Sequence, residues 1–162
     1  MIAKPFRPAV LWLGLVLVLG SAHFGPSQTQ QQVVPVLRVL APWMPPAGVQ
    51  TVHALLRKLS HLTEYAVLAL LWVRAFRSQR RFSLRMALWA ALAVCLTCAV
   101  VDEAHQARVP GRHGSVRDVA LDSLGALATL IVVRTRQRVM DDSVALRRAG
   151  APLDAARVDR GG

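Results

Sequence analysis

Two cysteines, one tyrosine and nine acidic residues are all that this chain of 162 residues holds of those kinds. The cysteines, Cys95 and Cys98, form a single C-x-x-C inside an apolar run. No second pair exists to complete a zinc site, and no βαβ pattern surrounds them as a redox motif would require. They read as small packing residues that let helices approach closely. No glycine-rich phosphate loop, Ser-His-Asp signature or internal repeat is present, so the common nucleotide-binding and hydrolase motifs are excluded. The shortage of acid leaves 20 Lys and Arg against 9 Asp and Glu, a net charge of +11. In a soluble protein such an excess points to nucleic acid. Here no aromatic-interleaved basic platform accompanies it, and the basic residues bunch at the edges of apolar runs. Nucleic acid is therefore not an expected partner.

What is present is apolar. Hydrophobic residues make up 54% of the chain and charged residues only 18%. Four runs, 9–24, 54–76, 84–101 and 116–133, each approach the ~20 residues that a helix needs to cross the hydrocarbon core. The expected fold is all-α, an integral membrane bundle of four transmembrane helices. Lys4 and Arg7 precede the first run; Arg74, Arg77, Arg80, Arg81 and Arg85 fill the second connector; Arg134, Arg136 and Arg138 follow the last run. The first connector holds only Arg38. Basic residues mark the cytoplasmic side, so both termini are expected inside a multi-pass inner-membrane protein. The organisation that follows is a first transmembrane helix over 1–25, an extracytoplasmic connector over 26–53, a three-helix core over 54–136, and a cytoplasmic basic tail over 137–162. That tail is expected to be frayed or disordered. Gly20-Ser21-Ala22 also resembles a signal-peptide cleavage site. In the connector, 33–40 followed by Trp43 suits an amphipathic piece in the membrane interface, or a lid.

Ionisable residues inside membrane spans are costly and mark function by default. Lys58, His61, Glu64 and Tyr65 interrupt the second run; Asp102, Glu103, His105 and Gln106 close the third; Arg117, Asp118 and Asp122 open the fourth. Residues three, four and seven apart share a helix face, which aligns Lys58, His61 and Glu64 on one stripe. The same rule pairs Asp102 or Glu103 with Gln106, and Asp118 with Asp122 and Gly125. All three clusters fall at the outer ends of their spans. Polar residues can also simply hold membrane helices together, but three clusters at one depth favour a site. Glu64 is expected to be ionised and paired with Lys58 and His61. His23, His53 and His113 lack partner spacing and read as incidental, and Tyr65 reads as core.

The ordered motifs Lys58-x-x-His61-x-x-Glu64-Tyr65, Asp102-Glu103-x-His105-Gln106, and Arg112 with Arg117-Asp118-x-x-x-Asp122-x-x-Gly125 resemble the VanZ family. This family of membrane proteins is named for a member linked to teicoplanin-type glycopeptide resistance. The resemblance covers about 58–133. It departs at Asp122, where the family usually has Asn, so an extra acid enters the site. The resemblance implies a bacterial cell-envelope protein with an extracytoplasmic polar pocket.

Two function classes follow. The first is binding of an anionic, lipid-linked or peptidoglycan-related envelope molecule, with an effect on glycopeptide susceptibility. Lys58, Arg112 and Arg117 would hold the anion, with Gln106 and Asp122 as further ligand-binding residues. The second is an intramembrane hydrolase or transferase acting on a lipid-linked substrate, with His61, Glu64, Glu103, His105 and Asp118 as candidate catalytic residues. These supply nitrogen and oxygen donors, but the spacing lacks the compact H-E-x-x-H signature, so no metal and no cofactor is expected. Membrane lipids are the expected surroundings. A homodimer would supply the wall that four short spans lack for a proton-coupled transporter.

Overall fold

A computed structural model describes residues 3–19, 26–108 and 116–148. Among these residues the chain is helical, without strands. A 3₁₀ turn, Lys4–Phe6, leads into α1 (Arg7–Leu19). It is followed by α2 (Pro26–Leu40), α3 (Pro46–Arg77), α4 (Leu84–Gln106) and α5 (Val116–Arg148). The Gly20-Ser21-Ala22 motif and Arg112 lie outside the described residues.

Local sequence sets the boundaries. Pro46 sits at the first position of α3 behind Pro45, where a missing N–H costs nothing and the fixed φ suits a helix start. Arg74 and Arg77 occupy its last turn, where cations complement the negative helix end. The chain then turns through 78–83. The Ser83 hydroxyl accepts from the Met86 N–H at 3.3 Å, an N-cap that starts α4. Phe6, Trp72, Phe76 and Phe82 stack around this turn, with adjacent centroids 5.1–6.0 Å apart. The 3₁₀ turn is thereby pinned to the α3–α4 end of the bundle.

Helices α3, α4 and α5 pack on one another, and α1 leans on α3. The α4 seam is a run of small residues, Ala87, Ala91, Cys95 and Ala99, all buried. Facing it are Tyr65, Leu68, Ala69 and Val73 of α3 and Ala126 and Leu130 of α5, with Val16 of α1 completing the cluster. Small side chains at four-residue spacing bring backbones close. Gly125 is the tightest point. A Cβ there would run into the Leu62 carbonyl oxygen of α3, so α5 crosses α3 backbone to backbone. Cys95 and Cys98 are free thiols one turn apart on this seam.

The outward faces are apolar too. Met86, Trp89, Leu96, Val100 and Val101 of α4 are exposed, as are Leu124, Ile131 and Val132 of α5. Contiguous exposed apolar surface of this kind belongs against lipid or another protein. Among the described residues α4 alone is long and apolar enough to cross a membrane by length and composition. Its 23 residues make a rod of about 34 Å, enough for a ~30 Å hydrocarbon core.

Two expectations need correction. The first connector is largely helical: α2 occupies 26–40, and α3 begins at Pro46 rather than near 54. A hydrogen-bond contact between His53 Nε2 and Thr29 Oγ1 at 3.3 Å ties α2 to α3. His53 is buried there and is structural rather than incidental. The basic tail is also ordered farther than expected, since α5 runs on to Arg148. Extending an existing helix adds a hydrogen bond per residue without a new nucleus. Gln137 also donates to Asp141 at 3.0 Å, one turn on.

Candidate functional site: a buried His-Asp-Asp cluster on three helices

The close crossing at Gly125 brings the middle of α3 against the start of α5, and the end of α4 closes the third side. Three side chains meet there. His61 comes from α3, Asp102 from α4 and Asp122 from α5, and one donor atom of each lies within 4.8 Å of the other two. His61 Nδ1 stands 3.4 Å from Asp122 Oδ1. That is ion-pair range, yet neither atom has a hydrogen bond of good alignment. Asp102 is held by its own helix, where Gln106 Nε2 donates to Asp102 Oδ2 at 2.9 Å. The other oxygen, Oδ1, is buried without a partner.

Burial is what makes the cluster unusual. Asp102 is 1% exposed and Asp122 3%, and aspartates are almost never fully buried unless paired. Tyr65, one turn after His61, is fully enclosed with its hydroxyl unpartnered. Four orphaned polar atoms thus gather in one place: His61 Nδ1, Tyr65 OH, Asp102 Oδ1 and Asp122 Oδ1. Each such group costs about 1–3 kcal/mol when left unsatisfied. Glu64, half-buried one turn along α3, lies in electrostatic range of all three members. Its backbone carbonyl accepts from Trp12 Nε1 of α1 at 3.0 Å.

The sequence candidates divide. His61, Glu64, Gln106 and Asp122 are brought together. Glu103 is buried beside Asp102 and is itself engaged. Lys58 is exposed, and no ion pair joins it to Glu64 among the described residues, so the expected Lys58–Glu64 pairing is not formed. A lysine stem long enough to carry its ammonium into solvent accounts for this. His105 and Arg117 are also exposed. Asp118 is half-buried in the first turn of α5, where a carboxylate complements the positive helix end rather than joining the cluster.

Two residues were passed over. Asp102 was set behind Glu103, although 95, 99, 102 and 106 follow the buried stripe of α4, a helical spacing that singles out Asp102 and Gln106. Arg57, half-buried and in electrostatic range of His61, was hidden inside a run read as apolar. Lys58 also precedes His61 on α3 and Arg117 precedes Asp122 on α5, both exposed, so by position the three make a basic collar on the N-terminal side of His61 and Asp122.

Two grooves lie away from the cluster. A groove of about 460 Å³ lies towards the other end, between α4 and α5, lined by Arg85, Trp89, Leu127 and Arg134 among others. Another of about 420 Å³ lies beside α2, lined in part by Gln30, Arg38 and Gln50. Neither touches His61, Asp102 or Asp122. What fits between those three residues is an ion, a proton or a water.

The VanZ/LLP1 family profile matches residues 8–137. The chain belongs to the VanZ/LLP1 family. The match takes in α1 and α2 as well as the three motif-bearing helices, so the unit shared with the VanZ/LLP1 family is larger than 58–133. No curated protein and no solved structure matches the chain.

Proposed function

We propose that this VanZ/LLP1 protein is a four-span cell-envelope protein that engages an anionic, lipid-linked or peptidoglycan-related molecule at its extracytoplasmic end. Engagement would alter susceptibility to teicoplanin-type glycopeptides. In this reading α1, α3, α4 and α5 cross the membrane with both termini cytoplasmic, as the arginine distribution suggests. The observation that carries the reading is the basic collar of Arg57, Lys58 and Arg117 beside the buried His61-Asp102-Asp122 cluster. Guanidinium groups suit planar anions such as phosphate and carboxylate. The carboxylates beneath would repel an anion in direct contact, so the ligand sits on the collar and the cluster sets the geometry of the three helices that carry it. Two measurements test this. Vesicles doped with undecaprenyl phosphate should bind the purified protein more tightly than phosphatidylcholine vesicles, and the triple change Arg57→Glu, Lys58→Glu, Arg117→Glu should abolish the difference. Expression in a teicoplanin-sensitive bacterium should raise the inhibitory concentration. Equal binding to both vesicles, together with an unchanged inhibitory concentration, would discard the reading.

The 3.4 Å approach of Asp122 to His61 Nδ1 favours one second reading, an intramembrane hydrolase or transferase. A carboxylate this close to Nδ1 favours the proton on that nitrogen, which leaves the lone pair on Nε2, the tautomer a general base needs. Asp122, not Glu64, is then the orienting carboxylate. Turnover of a defined lipid-linked substrate that His61→Gln abolishes is the test, and a rate unaffected by that change removes the reading.

A further inference from the structure

We infer that His61, Asp102 and Asp122 bind a divalent first-row transition cation, of the Zn²⁺ or Mn²⁺ class. The inference goes beyond the reading above, in which the bare carboxylates repel an anion; a bound cation would remove that repulsion and make the cluster itself a ligand site. Three observations carry it. The donor set is one imidazole nitrogen and two carboxylate oxygens within 4.8 Å of one another, each from a different helix. Ligands 2.0–2.2 Å from a common ion stand about 3–4 Å apart, so the three need shift only a little to coordinate together. Both aspartates are buried, and each keeps one oxygen without a hydrogen bond. Third, acidic groups outnumber basic ones at the cluster, even with Arg57 in electrostatic range of His61. Two buried carboxylates face one imidazole, Glu64 lies close by, and Lys58 has turned away to solvent. Burial of unpaired charge is strongly unfavourable, and a divalent ion offsets it.

The same donors narrow the metal. Mg²⁺ and Ca²⁺ take oxygen ligands almost alone, whereas imidazole together with carboxylate suits zinc, manganese or iron. Three protein ligands leave at least one position open. A phosphate or carboxylate oxygen of an anionic ligand held by the basic residues would complete the shell there. Gln106, which donates to Asp102 Oδ2 at 2.9 Å, is then the outer partner that fixes one ligand's orientation.

The test uses the full chain, purified in detergent through a tag without histidines, with metal content read by inductively coupled plasma mass spectrometry. We expect about one equivalent of Zn²⁺ or Mn²⁺ per chain, and a melting temperature that falls with chelator and recovers with the metal. His61→Gln, Asp102→Asn and Asp122→Asn should each weaken binding by more than about 100-fold, whereas Gln106→Ala should weaken it by ~10–100-fold, the range for outer-shell changes. His105→Ala, at an exposed imidazole on the same helix, should retain full metal. Absence of metal together with a melting temperature indifferent to added Zn²⁺ and Mn²⁺ overturns the inference. So does metal that persists in the His61 and Asp122 variants, since it then binds elsewhere. Vesicle binding is measured on the same samples. Selective binding of undecaprenyl phosphate by a metal-free wild type would reject the cation and leave the envelope reading standing.

Discussion

Asp122 of α5 faces His61 of α3 at 3.4 Å, although 61 positions separate them in the chain. That contact forms because Gly125, three residues on, lets α5 lie against the α3 backbone at Leu62. Chemistry and packing are thus coupled within one turn of each helix.

The coupling is measurable. His61→Ala and Asp122→Ala should each lower the melting temperature of the detergent-solubilised protein, and the double variant should lose less than the sum. Contacting polar groups show interaction energies of about 0.5–3 kcal/mol in such cycles. Strict additivity would show that the 3.4 Å approach contributes nothing.

Gly125→Ala tests the packing side. The added methyl meets the Leu62 carbonyl, and overpacking of this kind typically costs about 1–3 kcal/mol. Gly14 is the matched control, with nothing within 4 Å of an added Cβ. Gly14→Ala should be neutral, or stabilising by up to ~1 kcal/mol through helix propensity. Equal melting temperatures for the two variants would refute the close crossing.

Lys58→Ala should change stability by no more than about 0.5 kcal/mol, as surface substitutions usually do. Combined with Glu64→Ala, it should add without coupling. A protective interaction between the two changes would restore the ion pair that the sequence suggested and the structure does not form.

Orientation is checked by labelling. In a chain with Cys95 and Cys98 replaced by alanine, a cysteine at Gln30 should react with an impermeant maleimide applied from outside, and one at Ser78 should not. Both positions are exposed on the protein surface, so access depends on the side of the membrane. The opposite pattern would put the His61 cluster on the cytoplasmic side.

Most of the helical plan was legible because apolar runs and their basic flanks are long-range patterns. The three-residue and four-residue spacings placed His61, Gln106, Asp122 and Gly125 on the right faces. Side-chain reach was not legible. Lys58 and His61 share a stripe, but a flexible lysine escapes to solvent where an imidazole cannot. Asp102 and Glu103 are adjacent in the sequence, and only the phase of the Ala-Cys-Ala seam on α4 distinguishes their surroundings. Helix α2 carries Pro35 within it and has no long apolar run, so its pattern marked only 33–40, as an amphipathic piece, and not the whole element. It packs on α3 through Val34 and the Thr29–His53 contact.

Trp12→Phe removes one donor and keeps an aromatic side chain, though a smaller one. The expected loss is about 0.5–1.5 kcal/mol, the net worth of an intramolecular hydrogen bond, read as a lower melting temperature. No change would mean that the indole contact with the Glu64 carbonyl is incidental.

That indole bears on how the protein is made. Residues 7–19 have the composition of an export leader, yet Val16 is buried in the central cluster and Trp12 and Leu13 pack against it. Cleavage by signal peptidase would leave a trench along α3 with an orphaned Glu64 carbonyl at its edge. In this fold the first helix is thus a packed wall along α3, held by Val16 in the shared cluster and by the Trp12 hydrogen bond to the Glu64 carbonyl.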